Sequence, residues 1–357
     1  MQIVFINRLE RWRGGPPEQR HVYIGEDQGV WTAGWRPQPE DQPPETGEIW
    51  YEGLSWEELL ASFRHGVARI MREGFRPMID GMLEDVPFWE RKPPLQTLVR
   101  CYAEAQPAPQ ELSLLRAWRR DKAAEEKRAA YLIATNRELH MLAVYAPHTP
   151  EELRQIPGFG KWKTEKYGGE LLELLRKIPR QHGFPLDWVA ARVNRDMLAE
   201  WLILQKERKY AGQLEAIAAR QKLLALIREG RTLFELEKEL QCSHRELVER
   251  IEQLDEEGYD VLPFVERELA ALPAGELERV EEAFAALGDR FLKPLHERVY
   301  GLPSPAGEAA NHYSKLRLAR IRYRRRKAAG ASAGAGGAAA TPAASAAADG
   351  TGPAITA

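Results

Sequence analysis

A helical periodicity running from residue 111 to about residue 323 leaves this chain few folds. Apolar residues recur there at three- and four-residue spacing, the pattern that gives each helix one buried stripe. Proline and glycine punctuate the run at His148–Pro150, Pro157–Gly160, Pro179–Pro185, Gly230 and Gly301–Gly307. Helices joined by short turns hide their stripes against one another, so this region reads as packed helical domains. Polar residues mark several starts. Asn136 is placed to cap one helix, Thr149 caps another with Glu152 at the capping-box position, Thr232 stands three residues before Glu235, and Ser243 precedes His244–Glu257.

The first 53 residues read differently. Ile3–Ile6 and Val22–Ile24 are short apolar runs. After GEDQG comes an alternating stretch in which Trp31, Ala33 and Trp35 share a face, and Ile49-Trp50-Tyr51 suggests a fourth strand. Ser55, with Glu58 three residues on, caps a helix whose stripe of Trp56, Leu59, Leu60, Phe63, Val67, Ile70 and Met71 covers one face of that small sheet. The aromatic residues could stack on bases, but they read first as the core of a small domain. The expected fold class is mainly α, with a small N-terminal α+β module over 1–76. A Pro-rich linker with a short helix near Leu95–Tyr102 spans 77–111, a helical bundle 112–178, connecting helices 185–230, and a helical region ending in a basic helix 231–327. Residues 328–357 hold 15 alanines and almost no large apolar side chain, and are expected to be disordered.

Charge bears on partners. The totals nearly cancel, with 51 Lys+Arg against 53 Asp+Glu, which excludes a uniformly basic nucleic-acid binder. Locally they do not cancel. Residues 112–178 carry 13 positive and 9 negative charges, 231–260 carry 4 and 10, and 315–327 carry 8 and none. Eight cations in thirteen residues suggest a polyanion partner. Two cysteines, Cys101 and Cys242, exclude a disulfide framework and a cysteine-based zinc site. No stretch approaches 18 apolar residues and the N-terminus lacks the features of a signal peptide, so a cytoplasmic protein with no membrane partner is expected.

The stretches LLRAWRRDKAAEE, TNRELHMLA and TPEELRQIPGFGKWKTEKYGGELLELL resemble, in order and spacing, the HRDC domain found at the C-terminus of RecQ-type helicases and RNase D. Ala129-Ala130 before Tyr131 and Asn136 depart from common family residues without threatening the fold. The resemblance implies an auxiliary nucleic-acid-binding or protein-docking module. Independently of it, the IPGFG turn has a chemistry of its own. Gly158 and Gly160 allow a tight turn, and backbone amides at the following helix start can receive a phosphate oxygen. Lys161, Lys163 and Lys166 lie just beyond, and Arg116, Arg119 and Arg120 form a second candidate patch on the first helix.

The segment LIREGRTLFELEKELQCSHRELVERIEQLDEEGYDV resembles the helix–turn–helix domain at the C-terminus of some bacterial RecQ helicases, over about residues 215–322. Its second helix carries Glu246, Glu249 and Glu252 against Arg245 and Arg250, which argues against reading a DNA groove. The basic run becomes that domain's last helix, where Arg320, Arg322, Arg324, Arg325, Arg326 and Lys327 are candidate phosphate contacts. The sequence holds no G-x-x-x-x-G-K-[ST], no acidic metal motif in the first strand and no G-x-S-x-G, and Cys242-x-His244 is an isolated pair, so no helicase motor, nuclease, metal or cofactor is expected. The combined expectation is a non-catalytic nucleic-acid binder in DNA maintenance, taking DNA rather than RNA and working beside a separate helicase. The competing readings are a protein-interaction adaptor and an enzyme with a site in the N-terminal module.

Overall fold

The computed structural model describes residues 1–335 except residue 13 and residues 38–46, 84–92 and 302–305. It divides into two units, Met1–Ile217 and Ala218–Ala357.

The first unit opens with strands β1 (Gln2–Arg11), β2 (Gln19–Asp27), β3 (Val30–Arg36) and β4 (Glu48–Gly53), then helix α1 (Trp56–Arg72) and strand β5 (Phe75–Pro77). All pairings are antiparallel, in the order β4-β3-β2-β1-β5. Gln28 and Gly29, both at positive φ, make the tight β2–β3 hairpin. Trp31, Ala33 and Trp35 do share the face that α1 covers: Leu9, Val22, Ile24 and Ala33 pack on Leu59, Phe63, Val67 and Ile70. Gly66 lets α1 approach the sheet closely, since a Cβ there would run into the Trp50 ring. Ser55 caps α1 as expected. Strand β5 was not anticipated. Pro77, read as the start of a linker, ends an edge strand, the position in a sheet where a residue without N–H is tolerated.

Next come α2 (Leu95–Ala105), α3 (Leu112–Glu125), α4 (Ala130–Ile133), α5 (Asn136–Tyr145), α6 (Pro150–Leu153), α7 (Lys161–Leu175), a single 3-10 turn at Leu186–Trp188, α8 (Val189–Arg192) and the long α9 (Arg195–Arg228). Here the helical domain is larger than 112–178. Val99, Cys101 and Ala103 of α2 are fully buried in the same core as Leu115, Leu139, Tyr167 and Leu171, and Val189, Val193 and Leu198 complete it. The Tyr145 hydroxyl donates to the Val99 carbonyl at 2.7 Å. The short helix placed in the linker is therefore part of the bundle. The first bundle helix ends at Glu125. Lys127 turns left-handed at φ 51°, ending α3 before Tyr131. Ile203 and Tyr210 of α9 join the core under the N-terminal sheet.

In the second unit follow α10 (Leu233–Leu240), α11 (His244–Glu256), α12 (Leu262–Ala270), α13 (Ala274–Leu287), α14 (Leu292–Tyr300) and α15 (Ala306–Ala335). Their shared core holds Leu236, Ile251, Phe264, Phe284, Leu295, Leu316 and Ile321, with α15 packed on α11, α12, α13 and α14. Helix α15 runs past Lys327 to Ala335, into the segment expected to be disordered, and the rest of that segment lies outside the described residues.

Candidate nucleic-acid interface

Gly158 is at φ +99°, and a Cβ there would meet Glu138 Oε1 at 2.0 Å. Glu138 is the hub of this corner. Its side chain accepts from the Thr135 amide, closing a capping box on α5, and from Lys163 Nζ at 2.8 Å. The cap is thus Thr135, one residue before the expected Asn136. Lys163 is pinned in a shielded ion pair and lies over the Phe159 ring, so it supports the turn rather than presenting charge.

Gly160 begins α7. It offers no capping side chain and has open space around its Cβ position. The first amides of α7 have no intrahelical partner, so they face outward as donors beside the positive end of the helix dipole. Lys161 is 81% exposed and only 3.9 Å from Glu165. Trp162 is 56% exposed. Lys166 Nζ sits 5.2 Å from the Trp162 ring centre and 2.7 Å from Glu126. Glu126, at the end of α3, also accepts from the Tyr167 hydroxyl at 3.2 Å and lies 3.6 Å from Arg128. Its hydrogen bonds, that to Lys166 foremost, hold its carboxyl below the usual carboxylate range, and in return Glu126 raises Lys166, which stays charged through neutral pH. An exposed indole, the cations Lys161, Lys166 and Arg128, and outward amides therefore meet at one end of the bundle.

The other candidates fall elsewhere. Trp118 and Lys122 form the α3 stripe that meets Glu170 of α7. Arg116 and Arg120 lie about 160–200° around α3 from Trp118 at 100° per residue, on the opposite side. Arg119 donates to the Ala134 carbonyl at 2.8 Å and is structural. In the second unit most of the basic run is neutralised by the acidic stretches. Arg317 and Arg320 share Glu252, Arg322 and Arg326 share Glu281, Arg324 binds Asp289 at 2.7 Å and Arg325 binds Asp255 at 2.6 Å. The candidates Arg320, Arg322, Arg324 and Arg325 thus hold α15 to its neighbours, leaving Arg326 and Lys327 as exposed residues at the end of the row. Arg245 and Arg250 are likewise tied to Glu249 and Glu246. Among the described residues no group of three or more His, Cys, Asp or Glu could hold a metal ion, and no helix is long and apolar enough to cross a membrane.

Trp162 was absent from the sequence-derived candidates. The available signal was its place between lysines in GKWK, an aromatic residue interleaved with cations.

Residues 110–175 match the HRDC domain. Over 80 residues the chain is 38% identical to the ATP-dependent DNA helicase UvrD2 of Mycobacterium bovis and to that of Mycobacterium tuberculosis. That stretch is 22% of this chain and only 11% of those helicases. No solved structure matches the chain. The HRDC domain points to nucleic-acid association in helicase-related proteins.

Proposed function

We propose that this chain is a nucleic-acid-binding accessory protein without chemistry of its own, acting in DNA maintenance beside a helicase, and that its contact surface is the start of α7. The observation that carries the reading is Trp162, exposed in the first turn of α7 with the Lys166 ammonium over its ring. A flat indole bordered by cations suits a base on the ring and phosphates on Lys161, Lys166 and the free amides of the first turn. The partial likeness to DNA helicases supports DNA as the polymer. Lys163 and Gly158 shape the turn, and Arg116 and Arg120 lie outside the contact. The helix–turn–helix-like pair α10–α11, in the RecQ-type reading of residues 215–322, serves as a docking body and not as a groove reader, because the arginines of α11 are spent on its own glutamates.

Titration of the full chain with labelled single-stranded and duplex oligonucleotides tests this. Trp162→Ala should weaken single-strand binding about 5- to 100-fold, the usual worth of one stacked base. The double reversal Lys161→Glu/Lys166→Glu should weaken binding to every sequence alike, since phosphate contacts carry no sequence information. A wild type that binds nothing at low salt overturns the reading. Protein docking would then take precedence, and exposed Tyr131 and Leu132 on α4 are the surface it would use.

A further inference from the structure

Helix α14 and the start of α15 are joined by a stacked layer of histidines and tyrosines that nucleic-acid binding does not use. His312 lies flat on Tyr300, with ring centres 3.8 Å apart and planes 2° from parallel. His296 stacks on Tyr313 at 4.7 Å and 8°, and the two histidine rings are 5.5 Å apart. His296 is only 3% exposed. Its Nε2 and the Nδ1 of His312 are buried without a hydrogen-bond partner among the described residues. The carboxylate in this layer is Glu276 of α13. One of its oxygens already accepts from the Tyr300 hydroxyl at 2.8 Å and from Lys315 Nζ at 2.8 Å.

We propose that this layer is a pH-sensitive latch: neutral imidazoles hold α14 and the start of α15 together, and protonation of His296 on mild acidification loosens that end of the bundle. A proton on His296 would place a charge in a dry stack with no acceptor waiting. Of the groups facing it, His312 and Tyr313 of α15 offer no negative charge, and Lys315 is already paired with Glu276. Glu276 and Arg279 of α13 are engaged around Tyr300. Glu297, its neighbour on α14, pulls the other way as a weaker influence. Burial first, and His312 second, hold His296 below the ordinary histidine value of about 6.5. The unfolded chain therefore takes up the proton first, and stability falls as pH drops from about 6.5 toward the folded value. Glu235, Glu276 and Asp289 of the same unit are each held below the usual carboxylate range by their partners, which keeps them out of that window.

The sequence supplies a convenient test. All 10 tryptophans lie at or before Trp201, within the first unit, so tryptophan fluorescence follows that unit alone while circular dichroism follows both. Thermal unfolding of the full chain is measured at pH 7.5 and 5.5 by both probes. The transition seen only by circular dichroism should fall by about 3 °C or more at pH 5.5. In His296→Phe, which keeps the stack on Tyr313 but cannot titrate, most of that drop should vanish. The tryptophan transition should stay as in the wild type. A variant as acid-sensitive as the wild type overturns the latch. Should His296→Phe fail to fold, long-range ¹H–¹⁵N spectra of wild-type histidines decide the matter: His296 titrating at or above about 6.5 sinks the proposal, and titration clearly below it supports the latch.

Discussion

Glu138 makes both Gly158 and Lys163 structural: it pairs with Lys163 and fills the space a side chain at Gly158 would need. At φ +99° an alanine is strained, and its Cβ would also displace a carboxylate that holds two other groups. Gly158→Ala is therefore expected to cost about 1–3 kcal/mol in chemical unfolding, on strain alone. Lys163→Glu should cost more, because it sets two carboxylates against each other in a shielded corner. Lys161→Glu, exposed beside Glu165, should leave stability within about 0.5 kcal/mol. That contrast separates supporting from contacting lysines, and the sequence alone did not draw it. All three lysines follow the same turn, and spacing gives their order along the helix. The partner 25 residues upstream, Glu138, is brought to Lys163 only by the packing of α5 against the IPGFG turn.

At the level of elements, helix α15 is the clearest case of a pattern whose composition was legible and whose role was not. Eight cations in thirteen residues are visible in the sequence, as are the acidic stretches before them. What sequence order hides is that α15 packs along α11, α12 and α13, so each arginine meets a carboxylate some 35 to 70 residues away. The buried member of this network is Glu252, between Arg317 and Arg320. Glu252→Ala strips Arg320 of this carboxylate and leaves Arg317 with Glu249. Removing one partner of a buried pair costs about 3–5 kcal/mol, and the partial exposure of both arginines lowers the expectation to about 2 kcal/mol, or roughly 4–8 °C in melting temperature. Nucleic-acid affinity should be unchanged in this variant while it remains folded. Local signals fared better. The Thr149–Glu152 and Thr232–Glu235 capping boxes and the Ser55 and Ser243 caps stand where the sequence places them, because a cap is decided by residues three apart. The sequence places the α2 helix in a linker and gives no sign of strand β5, because their burial depends on partners distant in sequence: Tyr145 for α2, Leu9 and Arg11 for β5.

For the whole molecule, these pairings change what a near-zero net charge means. If the basic run were free, 13 positive against 9 negative charges in 112–178 would combine with 8 more at the end, and the chain would bind polyanions through many phosphates. With the α15 arginines paired within their own unit, the cations of the proposed contact are those around Trp162. The salt dependence of binding measures the difference. Each phosphate contact on a single strand contributes about 0.7 to the slope of log K against log salt. Two to four contacts by Lys161, Lys166, Arg128 and their exposed neighbour Lys127 give a slope of about −1.4 to −2.8, whereas participation of the eight α15 cations would carry it beyond about −5. Arg326→Glu/Lys327→Glu, which alters the exposed end of the row, should leave both slope and affinity within about twofold of the wild type. Lys161→Glu/Lys166→Glu should flatten the slope by about 1.4. A steep wild-type slope that the Arg326/Lys327 reversal reduces would return the contact surface to α15 and displace the start of α7.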